Sequence, residues 1–335
     1  MRKRKFLFVL LLLLSITVVS TCSTFFYVKL NNVDYRTDEF LVMTSCNPIY
    51  IATTNVVGDT DGVTVQNLSQ PTTGCLHDYT LTTEDMKNLS KADVLVVNGG
   101  GMEGYLEDVM EAYPELTIID TYECLEHDSS YYDLHFVEEN DEEILEDEHL
   151  EEEHTEEEHS EDGHHHDHEQ NSHIWMDSEM FAVQVQAIAD GLSELDASNA
   201  SSYEKNASDY IDALNTKIDK QELDQKLSGD NVAVLHEAFE YTALSLGANV
   251  VATLDLDEER QVSAGEVSQL IDSIRDNNVR IVFAEYDYGK SVGDLIEEQT
   301  DAKVVYLETL VHGSYGASDY VTTMNDNYLK ISNSL

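Results

Sequence analysis

Histidine is the residue type most able to do chemistry in this chain of 335 residues, which carries thirteen of them. Seven fall in one acidic run: His149, His154, His159, His164, His165, His166 and His168. Four others, His77, His173, His236 and His312, stand apart from that run and from one another. Imidazole is the commonest biological ligand for borderline metals such as zinc. The spacing within the run argues against a rigid site. From His149 to His164 the histidines recur every fifth residue, mostly separated by acidic triplets. Five residues on a helix turn through about 500°, so successive rings would step about 140° around the axis. No single helical face gathers them, and the run reads as a loose chelating loop. Residues 138–169 hold 18 carboxylates and no Lys or Arg. Such a stretch buries too little apolar surface to offset its ordering entropy, and disorder is expected over 138–172. A purification tag does not explain 164–168, which lies internally among acids.

The isolated histidines need a scaffold, and the flanking sequence supplies one. Short apolar runs at 40–45, 62–68, 93–98 and 116–120 read as strands, alternating with helices at 47–57 and 82–90. Pro48 suits a first helical turn. A stretch from 197 to 227 without Gly or Pro reads as one long helix, about 45 Å if continuous. Beyond it the alternation resumes, with strands at 231–235, 249–254, 280–284 and 303–307. Helices are expected at 237–246, 263–277, 290–300 and 319–329, the second opening with the capping pair Ser263 and Glu266. The fold class is therefore α/β: two lobes, each a parallel sheet flanked by helices, joined by a long backbone helix. The expected division is an anchor at 1–30, a first lobe at 38–190 with the acidic loop inside it, a linking helix at 191–228 and a second lobe at 229–335. Ligands of such sheets sit at the carboxyl ends of strands. His77 and His236 follow strand ends, His312 follows the last strand, and His173 follows the acidic loop. Facing lobes would let them converge in a cleft, where three or four imidazoles suit tetrahedral zinc.

The charge balance narrows the partners. Formal net charge is −49, and 49 acidic against 18 basic residues remain outside 138–169. Phosphate backbones would be repelled, so nucleic acid is excluded and cations are the natural partners. Arg2 to Lys5 precede an uncharged apolar run to about residue 28, the pattern of an export signal. Val19-Ser20-Thr21-Cys22 resembles the box before a lipid-modified cysteine at Cys22, while the uncut run is also long enough to remain as an anchor. Either way the folded part lies outside the cell, tethered to the outer face of the membrane. Cys46, Cys75 and Cys124 remain, an odd number for disulfides. Cys75, close to His77, reads as a packing or disulfide residue. Gly99-Gly100-Gly101 lacks the Lys-Ser/Thr of a phosphate loop and reads as a turn. An enzyme is not expected: Glu237 beside His236 is the one candidate base, and no His-Glu-x-x-His helix is present.

Several short motifs, taken in order, resemble one family. They are Thr44-Ser45-Cys46-Asn47-Pro48-Ile49-Tyr50, Val57-Gly58-Asp59, Gly74-Cys75-Leu76-His77-Asp78-Tyr79, Lys91-Ala92-Asp93-Val94 and Asn98-Gly99-Gly100-Gly101-Met102-Glu103. His173-Ile174-Trp175-Met176-Asp177 and His236-Glu237-Ala238-Phe239 complete the set. Together they resemble the ZnuA/TroA-like zinc and manganese solute-binding proteins of ABC importers, over about residues 40–330. The resemblance implies a metal in the interlobe cleft held by His77, His173 and His236. It leaves the fourth position among His312, Glu308 and water, with His312 favoured for its place beyond the last strand. Histidine at the third position, and a histidine-rich loop, point to zinc rather than manganese. The implied partners are the zinc ion and a membrane permease, and a monomer is expected. An extracellular zinc buffer or sensor, or an adhesin with a structural metal, are the alternative readings.

Overall fold

The computed structural model describes residues 39–69, 79–126, 171–218, 220–256, 262–314 and 316–335. The N-terminal signal with Cys22, the segment carrying Cys75 and His77, and the histidines of the acidic run lie outside the described residues.

The first sheet forms from short apolar segments. β1 (Phe40–Thr44), β2 (Val63–Asn67), β3 (Val94–Val97) and β4 (Thr117–Asp120) take the order β2-β1-β3-β4. β1 and β3 pair in parallel with Val42 opposite Val94, and β3 and β4 with Val94 opposite Thr117. β3 is buried at all four positions, as a strand covered on both faces should be. α1 (Asn47–Val57) begins with Pro48 in its first turn. α2 (Thr83–Leu89) starts at a capping box: Thr82 Oγ1 accepts from the Asp85 N–H at 3.2 Å, and the Asp85 carboxylate accepts from the Thr82 N–H at 2.8 Å. α3 (Leu106–Ala112) and the short α4 (Glu123–Glu126) complete this half.

Three helices lead to the second sheet: α5 (Ser178–Leu195), α6 (Ala200–Lys217) and α7 (Gln221–Leu227). The single helix expected over 197–227 is thus two. Ile218 has extended backbone at φ −92°, ψ 115°, and α6 stops at Lys217. Asn325 Nδ2 donates to the Lys217 carbonyl at 2.9 Å, satisfying one of the acceptors a helix end leaves without partners.

The second sheet repeats the first. β5 (Asn231–Val234), β6 (Asn249–Thr253), β7 (Ile281–Glu285) and β8 (Lys303–Leu307) take the order β6-β5-β7-β8, with parallel pairing throughout. α8 (Ala238–Ser245), α9 (Ala264–Asp276), α10 (Tyr286–Gln299) and α11 (Asp319–Ser332) accompany it. α10 begins four residues sooner than the sequence pattern suggests, because β7 runs into it directly through Glu285. Leu235, Ile274, Val282 and Ile296 centre the core of this half, and Met43, Leu89, Leu95 and Val109 that of the first. α5 and α6 pack on each other and on α1, whereas α7 packs on α11. Each sheet reverses its strand order once, between β1 and β3 and between β5 and β7. The carboxyl ends at those two points are where ligands of such sheets bind.

Candidate metal site

His236 stands just past β5, at the reversal point of the second sheet, and is 2% exposed. Its Nδ1 accepts the Ala238 N–H at 3.1 Å, at the start of α8. His173 comes from the other half and is 1% exposed. The residue before it is fixed at the reversal point of the first sheet, where Asn98 Nδ2 donates to the Ser172 carbonyl at 2.8 Å. The two imidazoles approach edge to face, with ring centroids 5.0 Å apart and planes 81° apart.

The segment after His173 is a 3₁₀ turn, Ile174–Met176, buried completely between the halves. Trp175 Nε1 donates to the Thr309 carbonyl at 2.8 Å, and the Tyr320 hydroxyl donates to the Trp175 carbonyl at 2.7 Å. Thr242 Oγ1 donates to the Met176 carbonyl at 3.2 Å. Asp177 then caps α5, accepting from the N–H groups of Glu179 at 2.7 Å and Met180 at 3.4 Å. In the first turns of α5 and α11, Phe181 and Tyr320 stack with centroids 3.7 Å apart. The chain therefore holds His173 by its neighbours, and those neighbours are held by both sheets.

One carboxylate and one amide flank Nδ1 of the His173 ring. Asn171 Oδ1 lies 3.1 Å from His173 Nδ1, and Glu237 Oε1 lies 3.2 Å from the same nitrogen. Asn171 Nδ2 donates to the Glu237 carbonyl at 2.9 Å and to Glu240 Oε2 at 3.1 Å. Burial pushes the Glu240 carboxyl above its ordinary range, against the pull of its bonds from Thr253 and Asn171. Asn171 and Ser172 were expected within the disordered loop. Both are instead packed, Ser172 completely, because the loop must be tied down before it can present His173.

A buried carboxylate supports the first reversal point. Glu103 accepts from the N–H groups of Asn98 at 2.8 Å and Gly99 at 3.0 Å. Burial raises its pKa to about 7, although hydrogen bonds oppose the shift. The three glycines form the expected turn, all with positive φ, and a Cβ on Gly99 would lie 1.8 Å from Asp120 Oδ1. Cys46, beside Glu103, is buried with its thiol pushed up to about 12 by that burial and by the nearby carboxylate. Cys124 Sγ donates to the Thr121 carbonyl at 2.7 Å.

The remaining sequence candidates fall elsewhere. Glu308 turns to Lys330 of α11 at 3.4 Å and is 62% exposed. His312 is half-buried in the loop after β8. That loop is fastened to both halves: Asn47 Nδ2 donates to the Leu310 carbonyl at 2.7 Å, and Thr309 Oγ1 donates to Glu285 Oε1 at 2.9 Å. Among the described residues, no three His, Cys, Asp or Glu side chains are grouped to hold an ion. The structure brings together His173 and His236, with Glu237 beside them. Asn171, Glu240 and Tyr241 were not singled out by the sequence reading. Their contacts join positions some 66–70 residues apart, and no local pattern announces them.

The chemistry of the pair is unequal. His173 Nδ1 faces two oxygens and must carry a proton to bond either, so in the neutral ring Nε2 is the nitrogen with ligand character. In His236 the acceptor is Nδ1, so a neutral ring carries its proton on Nε2. Coordination through His236 Nε2 requires that proton to move to Nδ1 and the Ala238 bond to open; coordination through Nδ1 displaces Ala238 outright.

Two parallel sheets of identical strand order, linked by helices, with buried imidazoles at the seam, define the two-lobe solute-binding class of metal proteins. The chain belongs to the ZnuA family, Zinc-uptake complex component A periplasmic, which it matches over residues 42–334. It is similar to the high-affinity zinc uptake system protein ZnuA of Bacillus subtilis, 26% identical over 308 residues that cover 90% of this chain and 89% of the relative. It is also similar to the manganese-binding lipoprotein MntA of Halalkalibacterium halodurans, 22% identical over 263 residues, or 75% of this chain and 74% of that one. Among solved structures, the solute-binding protein FpvC of P. aeruginosa in complex with Ni2+ shares the fold with a TM-score of 0.68. That match has 21% identity and covers 88% of this chain and 96% of that chain. The relatives thus bind different metals by name. Among the described residues, no helix is long and apolar enough to cross a membrane.

Proposed function

We propose that this chain is an extracytoplasmic zinc receptor, tethered to the outer face of the cell membrane, that hands the ion to an ABC-type permease. The observation that carries this reading is the pair of buried imidazoles 5.0 Å apart, one reached through each sheet. Imidazole donors suit zinc, whereas manganese favours oxygen ligands. His77 supplies the third donor in this reading and His312 the fourth. Glu308 would have to leave Lys330 to take that place. Because His173 and His236 belong to different halves, any motion that parts the halves separates the donors and releases the ion. Glu237, the one candidate base, is engaged with His173 and serves to hold it rather than to catalyse. The acidic run with its seven histidines acts as a weak collector that raises local cation concentration.

The test is metal analysis of the purified chain, followed by competition between zinc and manganese. One tightly held zinc that survives excess manganese is expected. Displacement by comparable manganese would overturn the choice of metal, and the absence of any tight ion would overturn the receptor.

A further inference from the structure

Resting on the zinc reading of this site, we infer that Asn171 is a positioning residue: with Glu237, it locks His173 as the Nδ1–H tautomer and so presents Nε2 to the ion. Every polar group that Asn171 directs here is engaged, and its amide can be oriented in one way only. Nδ2 donates to two acceptors, the Glu237 carbonyl and Glu240 Oε2. Oδ1 accepts the backbone N–H of His173 at 3.1 Å. A flipped amide would set Oδ1 against two oxygens and an NH2 against an N–H, losing all three bonds. With the amide so fixed, its oxygen also faces His173 Nδ1 at 3.1 Å. Glu237 Oε1 reaches the same nitrogen at 3.2 Å. Two oxygens meet Nδ1, and only a proton on that nitrogen bonds either, so in the neutral ring the proton resides there and Nε2 carries the lone pair.

The residue's backbone is tied as firmly as its side chain. The Tyr241 hydroxyl donates to the Asn171 carbonyl at 2.6 Å. Glu237, Glu240 and Tyr241 all belong to the start of α8 or the residue before it, in the half that also carries His236. Asn171 therefore latches the end of the acidic run to the second half while orienting a ring that enters from the first. Orientation and tautomer of a ligating histidine are commonly set by such an outer partner, and its loss costs roughly 10–100-fold in metal affinity.

The experiment compares wild type, Asn171→Ala, Asn171→Leu, Glu237→Ala and Tyr241→Phe in the full chain. Two readouts are taken near neutral pH: the 15N shifts of the His173 ring in metal-free protein, and zinc affinity by competition with a chromophoric chelator. Asn171→Ala should mix the His173 tautomers and weaken zinc about 10–100-fold, with Glu237→Ala, which removes the second acceptor, acting in the same direction. Tyr241→Phe, which leaves the amide facing the ring, should change the tautomer signal least. A pure Nδ1–H signal and unchanged affinity in Asn171→Ala would overturn the inference. Should Asn171→Ala fail to fold, Asn171→Leu, of similar shape but with no acceptor, decides in its place, a wild-type tautomer signal there overturning the lock. If wild type holds no tight zinc, the receptor reading fails, yet the ring shifts still judge the tautomer lock separately.

Discussion

Replacing Glu103 by glutamine should remove a pH dependence of stability that the structure lets one size. The carboxyl is buried beneath the triple-glycine turn, and burial raises its pKa from 4.5 to about 7. The folded chain thus holds a proton that the unfolded chain releases earlier. Below the unfolded value both states are protonated and the group is silent. Between the two values the folded state binds more protons, so stability falls as pH rises, and above about 7 the loss is complete. A shift of this size corresponds to about 3 kcal/mol. Glutamine cannot titrate, but its NH2 must face an N–H of Asn98 or Gly99, a pH-independent cost of about 1–3 kcal/mol. The assay is urea unfolding of metal-free wild type and Glu103→Gln at several pH values from about 5 to about 8. The stability of wild type relative to Glu103→Gln should decline by about 3 kcal/mol across that window, less the part already lost below its lower limit, and flatten at its upper end. A difference that stays flat would show that the amides of Asn98 and Gly99 outweigh burial and that Glu103 is ionised throughout.

Three further outcomes are expected. Gly99→Ala should destabilise the first half by more than the roughly 1–3 kcal/mol of a strained backbone, because the new Cβ also meets Asp120 Oδ1 at 1.8 Å; thermal unfolding reads it. Trp175→Phe should cost about 1–3 kcal/mol in urea unfolding, through the Thr309 carbonyl left without its donor, and a neutral result would show that carbonyl satisfied by another group. Deleting residues 138–170 should leave one tight zinc site, remove several weak ones in calorimetry, and slow ion capture at low salt, where charge acts over more than about 10 Å.

The pattern of strands and helices was legible because each element carries its own signal. Pro48 marks the start of α1, and Ser263 and Glu266 form the anticipated box, with Glu266 N–H donating to Ser263 Oγ at 3.2 Å. The break at Ile218 was not legible, since the partner that satisfies the helix end there is Asn325, more than a hundred positions away. The same contrast holds at the site. Two buried histidines at strand and loop ends could be picked from sequence, and the structure sets His173 against His236. Asn171 looked like the last residue of a polar run, because a side chain that binds a distant helix has no local periodicity. Glu308 looked available, and only the fold places Lys330 beside it.

In the proposed function, His173 and His236 together hold one zinc ion between the halves. Zinc titration of the chain lacking residues 138–170 tests it most directly, with His173→Ala and His236→Ala made in the same background. Each substitution should weaken the tight site by more than the roughly 10–100-fold that loss of an outer partner costs, with circular dichroism unchanged. A tight site that survives both substitutions in a folded chain would place the ion elsewhere and contradict the account.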